Sequence, residues 1–312
     1  MKREVEFESG GTVVRGDLYV PEDGSGPYPV VVMAGGWCYV KELRQPVYAE
    51  HFNAAGVAAL VFDYRRLGAS DGEPRQHIDP WAQIEDYRSA ISFVSQLPEV
   101  DAERIGVWGI SYSGGHSLIV GALDRRVKSV ISIVGVMDGY ENMRRVHGRD
   151  GFRRLRALIE EDRETRVAGK PGGYMPMSVD DHWQTVCTWP FPEVNEIFNM
   201  LKATEAPRHE HRNTIESVEL LMQYSVYPYV PRLLDTAVMM IVADDDDLTL
   251  WDKELEVYNL IPTARKRLAV IGGTDHMDIY SDLSHLELAA RIGAEWASET
   301  LGSSAQVATP SV

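Results

Sequence analysis

Cysteine is scarce: Cys38 and Cys187 are the two thiols in 312 residues. That is too few for a disulfide framework or a four-thiolate zinc site. Long apolar runs are missing as well. None approaches the ~20 residues of a membrane span, and the opening MKREVEFESGG has no apolar signal core. A cytoplasmic protein is the expectation. Cationic excess is also lacking, since 31 Lys and Arg face 47 Asp and Glu for a formal net charge of −16. That average field repels phosphate backbones and anionic lipid surfaces, so neither nucleic acid nor membrane is expected as a partner. No Walker or dinucleotide fingerprint is present, so no nucleotide or redox cofactor is implied. What remains is an ordinary globular composition, 44% hydrophobic and 25% charged, with mean hydropathy −0.23. It excludes collagen-like, low-complexity and wholly disordered chains.

The patterning that is present alternates strand with helix. Residues 4–7 and 12–20 flank Gly10-Gly11 as a hairpin. A turn-rich loop (21–29) leads to Val30-Val31-Val32-Met33-Ala34, the unbroken apolar run of a strand buried on both faces. Further strands are expected at 58–62, 105–110, 127–135, 238–243 and 267–271. Helices are expected at 47–55, ended by Gly56, at 81–96 with Ile84, Tyr87, Ile91 and Val94 on one face, and at 284–299. Such alternation implies a mostly parallel sheet covered by helices on both faces. Residues 138–232 break the rhythm: they lack β-type apolar runs and show helical spacing at 155–159 and 215–222. The expected organisation is therefore a core of residues 1–137 and 233–302, an inserted helical cap at 138–232, and a flexible tail at 303–312.

The segment Gly109-Ile110-Ser111-Tyr112-Ser113-Gly114-Gly115 follows one of these strands and opens a helix. A serine at such a corner is exposed on strained backbone, small neighbours relieve crowding, and the helix N-terminus favours an anion. Ser111 follows the strand directly and is favoured over Ser113, though both have small residues two positions away. A serine hydroxyl needs a base, and the base needs an orienting acid. Strand 238–243 runs into Asp244-Asp245-Asp246-Asp247, and strand 267–271 leads to Gly272-Gly273-Thr274-Asp275-His276. Both groups lie where parallel strands emerge at their carboxyl ends, the ligand-binding edge of open α/β sheets. Donors for a developing oxyanion are expected from the backbone N–H groups of Tyr112 and of Trp37, which follows Gly35-Gly36.

With these motifs in hand, the chain resembles α/β-hydrolases of the dienelactone-hydrolase-like and X-Pro dipeptidyl-peptidase-like (cocaine-esterase-like) groups, and bacterial polyketide-transferase-type hydrolases most of all. The likeness extends over most of residues 12–136 and 236–298, including Phe62-Asp63-Tyr64-Arg65 and Gly68-Ala69-Ser70-Asp71-Gly72. It implies the α/β-hydrolase fold with an inserted cap. It also selects Asp246 from the aspartate run and His276 from the Gly-x-x-His-x-Asp-x-Tyr segment, giving a Ser111–His276–Asp246 triad. Two departures stand out: Gly35-Gly36 replaces the usual His-Gly of the oxyanion loop, and Ser113 replaces the second elbow glycine.

The expected activity is a serine hydrolase cleaving an ester, thioester or lactone through an acyl-enzyme, with a small-molecule acyl substrate and no cofactor. An acyltransferase or carbon–carbon bond hydrolase would use the same triad, and a ligand-binding module would carry it as a vestige. The cap is aromatic and Met-rich, and Gly36, Trp183, Trp189 and Tyr224 are the candidate substrate-pocket residues. An exposed apolar face of the cap would support a homodimer. His209-x-His211 offers two ligands, too few for a metal, and is expected on a solvated cap surface. Cys38 sits in the oxyanion loop without a partner arrangement that would make it a nucleophile.

Overall fold

The computed structural model describes residues 1–22 and 26–302. Residues 23–25 of the expected turn-rich loop and the expected flexible tail (303–312) lie outside them. The hairpin forms from β1 (Lys2–Ser9) and β2 (Thr12–Tyr19), paired antiparallel. β1 buries alternate residues near its end, as a half-covered edge strand does. Inside the sheet, β3 (Tyr28–Ala34), β4 (Ala58–Phe62) and β9 (Ala237–Ala243) bury nearly every residue. Their uninterrupted apolar runs are therefore the mark of cover on both faces.

With β5 (Val100–Ile110), β6 (Val127–Ile133) and β10 (Lys266–Ile271), these strands make an eight-stranded sheet of order β1-β2-β4-β3-β5-β6-β9-β10. Every pair from β4 to β10 is parallel, and β2–β4 is antiparallel. Helix α1 (Gln45–Ala54) and the last helix (Leu283–Leu301) pack together on one face, and α2 (Pro80–Val94) and α3 (Tyr112–Leu123) together on the other. The expected apolar stripe of α2 is buried, and Gly56, at φ 77°, ends α1 as a C′ glycine does.

Strand β6 ends two residues earlier than its apolar run. Val134 turns to φ 39°, and the Gly135 N–H donates to Glu254 Oε1 (2.6 Å) instead of a ladder. From there the chain leaves the sheet. The insertion carries α4 (Gly139–Val167), broken at Gly148 (φ 60°), then α5 (Pro192–Thr204) and α6 (Ile215–Leu221). Its ends are pinned together: Gly139 N donates to Tyr224 O (2.9 Å) and Val226 N to Met137 O (2.9 Å). The helical expectation for 138–232 misses one element, a small antiparallel sheet of β7 (Tyr174–Pro176) and β8 (Arg212–Thr214). Three residues per strand leave no periodicity to recognise. Among the described residues, no helix is long and apolar enough to cross a membrane.

Candidate active site

The chain passes from β5 into α3 through Ser111, at φ 57° and ψ −126°. A side chain at positive φ is strained and has to be held by its surroundings. Here Ser111 N donates to Ile133 O (2.9 Å), while Ser111 O accepts from Gly114 N (2.8 Å) and Val136 N (3.2 Å). Gly109 has to be bare, since a Cβ there would lie 2.0 Å from Ser113 O. The two serines then divide. Ser113 is fully buried, its Oγ accepting from Ile110 N (2.8 Å) and donating to Ala34 O (2.8 Å). Ser111 instead faces a cavity that His276 also lines.

The aspartate run sorts itself in the same way. Asp245 and Asp247 are exposed. Asp244 Oδ1 accepts from Gly273 N (2.6 Å), tying down the loop after β10. Asp246 is wholly buried, and its Oδ2 lies 2.7 Å from His276 Nδ1. Three further donors fix that carboxylate: Leu248 N (2.9 Å), Thr249 N (2.8 Å) and Thr249 Oγ1 (2.7 Å). Burial pushes the Glu254 carboxyl well above the usual range, the Asp246 charge adding to the effect.

The Gly35-Gly36 loop lies directly on Ser111. A Cβ on Gly36 would stand 2.8 Å from Ser111 Cβ and 3.2 Å from its Oγ, so only glycine lets this backbone approach. Tyr112 is the first residue of α3, where a backbone N–H has no intrahelical acceptor. Among the described residues, neither Trp37 N nor Tyr112 N donates to another backbone group. The Trp37 indole packs edge-on against Tyr112 (5.1 Å between ring centres) and Trp189 (6.1 Å).

The cavity over Ser111 and His276 measures about 20 Å³, room for about one water. Its other walls are Trp37, Tyr39, Met177, Trp189, Val194, Phe198, Leu248, Met277 and Tyr280. Trp189 therefore reaches the cavity, and Gly36 abuts the serine. Trp183 and Tyr224 do not line it. Trp183 is 76% exposed, its ring tilted against His182. Tyr224 is buried behind α3, its hydroxyl 3.0 Å from His116 Nδ1. The His209–His211 pair is not a solvated surface either: His209 is buried, its Nδ1 bonded to Cys38 O (3.0 Å) and its Nε2 to His211 Nδ1 (3.2 Å). Burial raises the Cys38 thiol far above its usual range, so Cys38 stays a neutral thiol. Tyr39, Leu248, Met277 and Tyr280 went unrecognised as cavity walls. The available signal was nearness to the motifs, two residues past Trp37 and Asp246 and one and four past His276.

This sheet order, with a serine at the β5–α3 corner, defines an α/β-hydrolase. The alpha/beta hydrolase GrgF from Penicillium sp. sh18 superposes with TM-score 0.79 at 23% identity, covering 96% of this chain and 99% of that one. The chain matches the X-Pro dipeptidyl-peptidase (S15) family over residues 10–278 and belongs to it. It is 30% identical to a thiohydrolase of Eupenicillium brefeldianum across 92% of this chain and 91% of that protein. It is also 29% identical to a polyketide transferase of Aspergillus fumigatus, across 89% and 91% of the two chains.

Proposed function

We propose that the protein is a serine hydrolase of small acyl compounds (an ester, thioester or lactone) working through an acyl-enzyme on Ser111. One observation carries the proposal: His276 Nδ1 is bonded at 2.7 Å to buried Asp246, and His276 shares a cavity with Ser111. Asp246 holds the imidazole with Nδ1 protonated, leaving Nε2 free to take the Ser111 proton during attack on the carbonyl carbon. The oxygen that gains charge is met by the Trp37 and Tyr112 N–H groups. Collapse of the tetrahedral intermediate expels the leaving group, protonated by His276. Water, activated by the same imidazole, then releases the acid.

Among the described residues, the lining carries no Lys, Arg, Asp or Glu, which favours an uncharged, apolar acyl group. A cavity of one water's size admits no acyl chain, so residues 138–232 would act as a lid that lifts on binding. Transfer of the acyl group to another nucleophile is the second reading, favoured by the likeness to a polyketide transferase.

The test is turnover of a series of p-nitrophenyl esters and acyl thioesters, with and without a thiol or alcohol acceptor. Ser111→Ala should lower kcat by about 10⁴-fold, and Ser113→Ala should retain most activity. An active Ser111→Ala would refute the proposal. Acyl transfer outrunning hydrolysis at millimolar acceptor would replace hydrolysis with the second reading.

A further inference from the structure

The loop that supplies the Trp37 N–H is gripped from the insertion. Trp37 Nε1 donates to Asn213 Oδ1 (2.9 Å), which also accepts from Thr188 Oγ1 (2.8 Å). Asn213 Nδ2 donates to Thr214 O (3.0 Å), so the amide oxygen has to face the indole. One residue along, the Cys38 carbonyl is bonded to His209 Nδ1 (3.0 Å), and the Cys38 thiol donates to Arg212 O (3.3 Å). Cys38 itself sits at φ 55°, a conformation a cysteine does not favour without outside support.

The histidine chain has a single direction. A carbonyl only accepts, so His209 Nδ1 carries the hydrogen. Burial lowers the pKa of His209 to about 3 and of His211 to about 4, which keeps both rings neutral at pH 7. His209 Nε2 must then accept, and His211 Nδ1 donates to it (3.2 Å). His211 Nε2 in turn accepts from Ser178 Oγ (2.7 Å). Every member belongs to the insertion, and the chain ends by presenting one N–H to one carbonyl of the core loop.

We infer that Asn213 and His209 are positioning residues for this loop, and that seating of the insertion sets the Trp37 backbone N–H against Ser111. The inference rests on the proposed role of Ser111. Neither residue lines the cavity; both act through Trp37 and Cys38. The movement that admits an acyl group therefore also releases the oxyanion loop. Reclosure over a bound substrate restores it, which couples substrate fit to assembly of the catalytic apparatus.

The test combines ester kinetics with inhibition by an alkyl boronic acid, whose serine adduct is a tetrahedral anion. The variants are Asn213→Ala, Trp37→Phe, their double, His209→Leu and His209→Asn. Asn213→Ala and Trp37→Phe should each lower kcat about 10- to 100-fold, below the loss for deleting an oxyanion donor outright. KM should move by less than about threefold, and boronate affinity should fall in step with kcat/KM. The double variant should be no worse than Asn213→Ala alone, because Trp37→Phe removes only the indole bond that Asn213→Ala has already removed. His209→Asn places an amide N–H near the position of Nδ1 and should recover most of the loss seen in His209→Leu. Additive losses in the double, or unchanged boronate affinity beside a reduced kcat/KM, would overturn the inference. Trp37→Phe keeps the ring packed, so the test survives if the Asn213 variant fails to fold. An active Ser111→Ala would defeat the nucleophile assignment. An inactive Ser111→Ala beside unaffected Asn213 and His209 variants would defeat this inference alone.

Discussion

The sheet core and the insertion share one apolar core, but their parts are joined differently. In the core, β3, β4 and β9 are apolar from end to end, and the residues of the proposed site emerge where strands stop: Ser111 after β5, Asp246 after β9, His276 after β10. In the insertion, polar side chains do much of the joining. Arg166 reaches Asp162 (2.8 Å), Glu216 (3.0 Å) and Glu219 (2.5 Å) at once, and Asn213, His209 and His211 bond across to the core loop or to one another. Apolar burial is non-directional, whereas a hydrogen bond is lost outright when its partner moves. On the proposed function, the sheet would carry the acyl chemistry beneath a layer joined in part by polar contacts.

The largest expected effect lies in the core. Asp246→Asn should lower kcat by about 10⁴-fold, since the imidazole would lose its orienting carboxylate. Asp245→Asn and Asp247→Asn, at exposed positions, should change kcat by less than about threefold. Steady-state rates on one ester decide it, and equal losses at all three positions would detach Asp246 from the site.

A smaller and different effect belongs to the insertion. Trp189→Ala and Phe198→Ala, each removing a cavity wall, should shift relative kcat/KM between short and long acyl esters by about 10- to 200-fold. Trp183→Ala should leave the rank order as it was, because that ring faces solvent. A rank order moved by Trp183 and not by Trp189 would reverse the assignment.

A further effect concerns acid stability. Burial lowers the pKa of His116 in the core to about 3, and of His147, His209 and His211 in the insertion to about 4, 3 and 4, against an ordinary value of 6.5. Between those limits the unfolded chain binds more protons than the folded one. Stability from these groups is therefore complete above about pH 6.5 and falls as pH drops toward 4, by up to about 1.4 kcal/mol per pH unit for each. Urea midpoints at pH 7 and pH 4.5 measure this, and His209→Asn should narrow the gap. An undiminished gap would mean that His209 does not stay neutral in the folded protein.

The same contrast governs what was legible in the sequence. Strands buried on both faces announce themselves by composition, and strand-end motifs locate Ser111 and His276. Among four identical neighbours, only the family resemblance singles out Asp246; no local pattern records the backbone turn that buries it while leaving Asp245 and Asp247 exposed. Trp183 and Trp189 are the same residue type six positions apart. What separates them is tertiary: Trp189 N donates to Met177 O (2.8 Å), drawing that ring inward. His209 and His211 sit in a charged run that suggests solvent, yet the Cys38 loop covers them from 171 residues away. Asn213 owes its role to Trp37, 176 residues distant, and no local pattern records such a pairing.

One measurement tests the central claim most directly: rapid quenching of the reaction with p-nitrophenyl butyrate, followed by peptide mass analysis. A butyryl group is expected on the peptide containing Ser111, formed and lost at rates compatible with kcat, and absent from Ser111→Ala. Butyrylation of Ser113 or Cys38 in its place, or turnover with no acyl-enzyme at any time point, would contradict it.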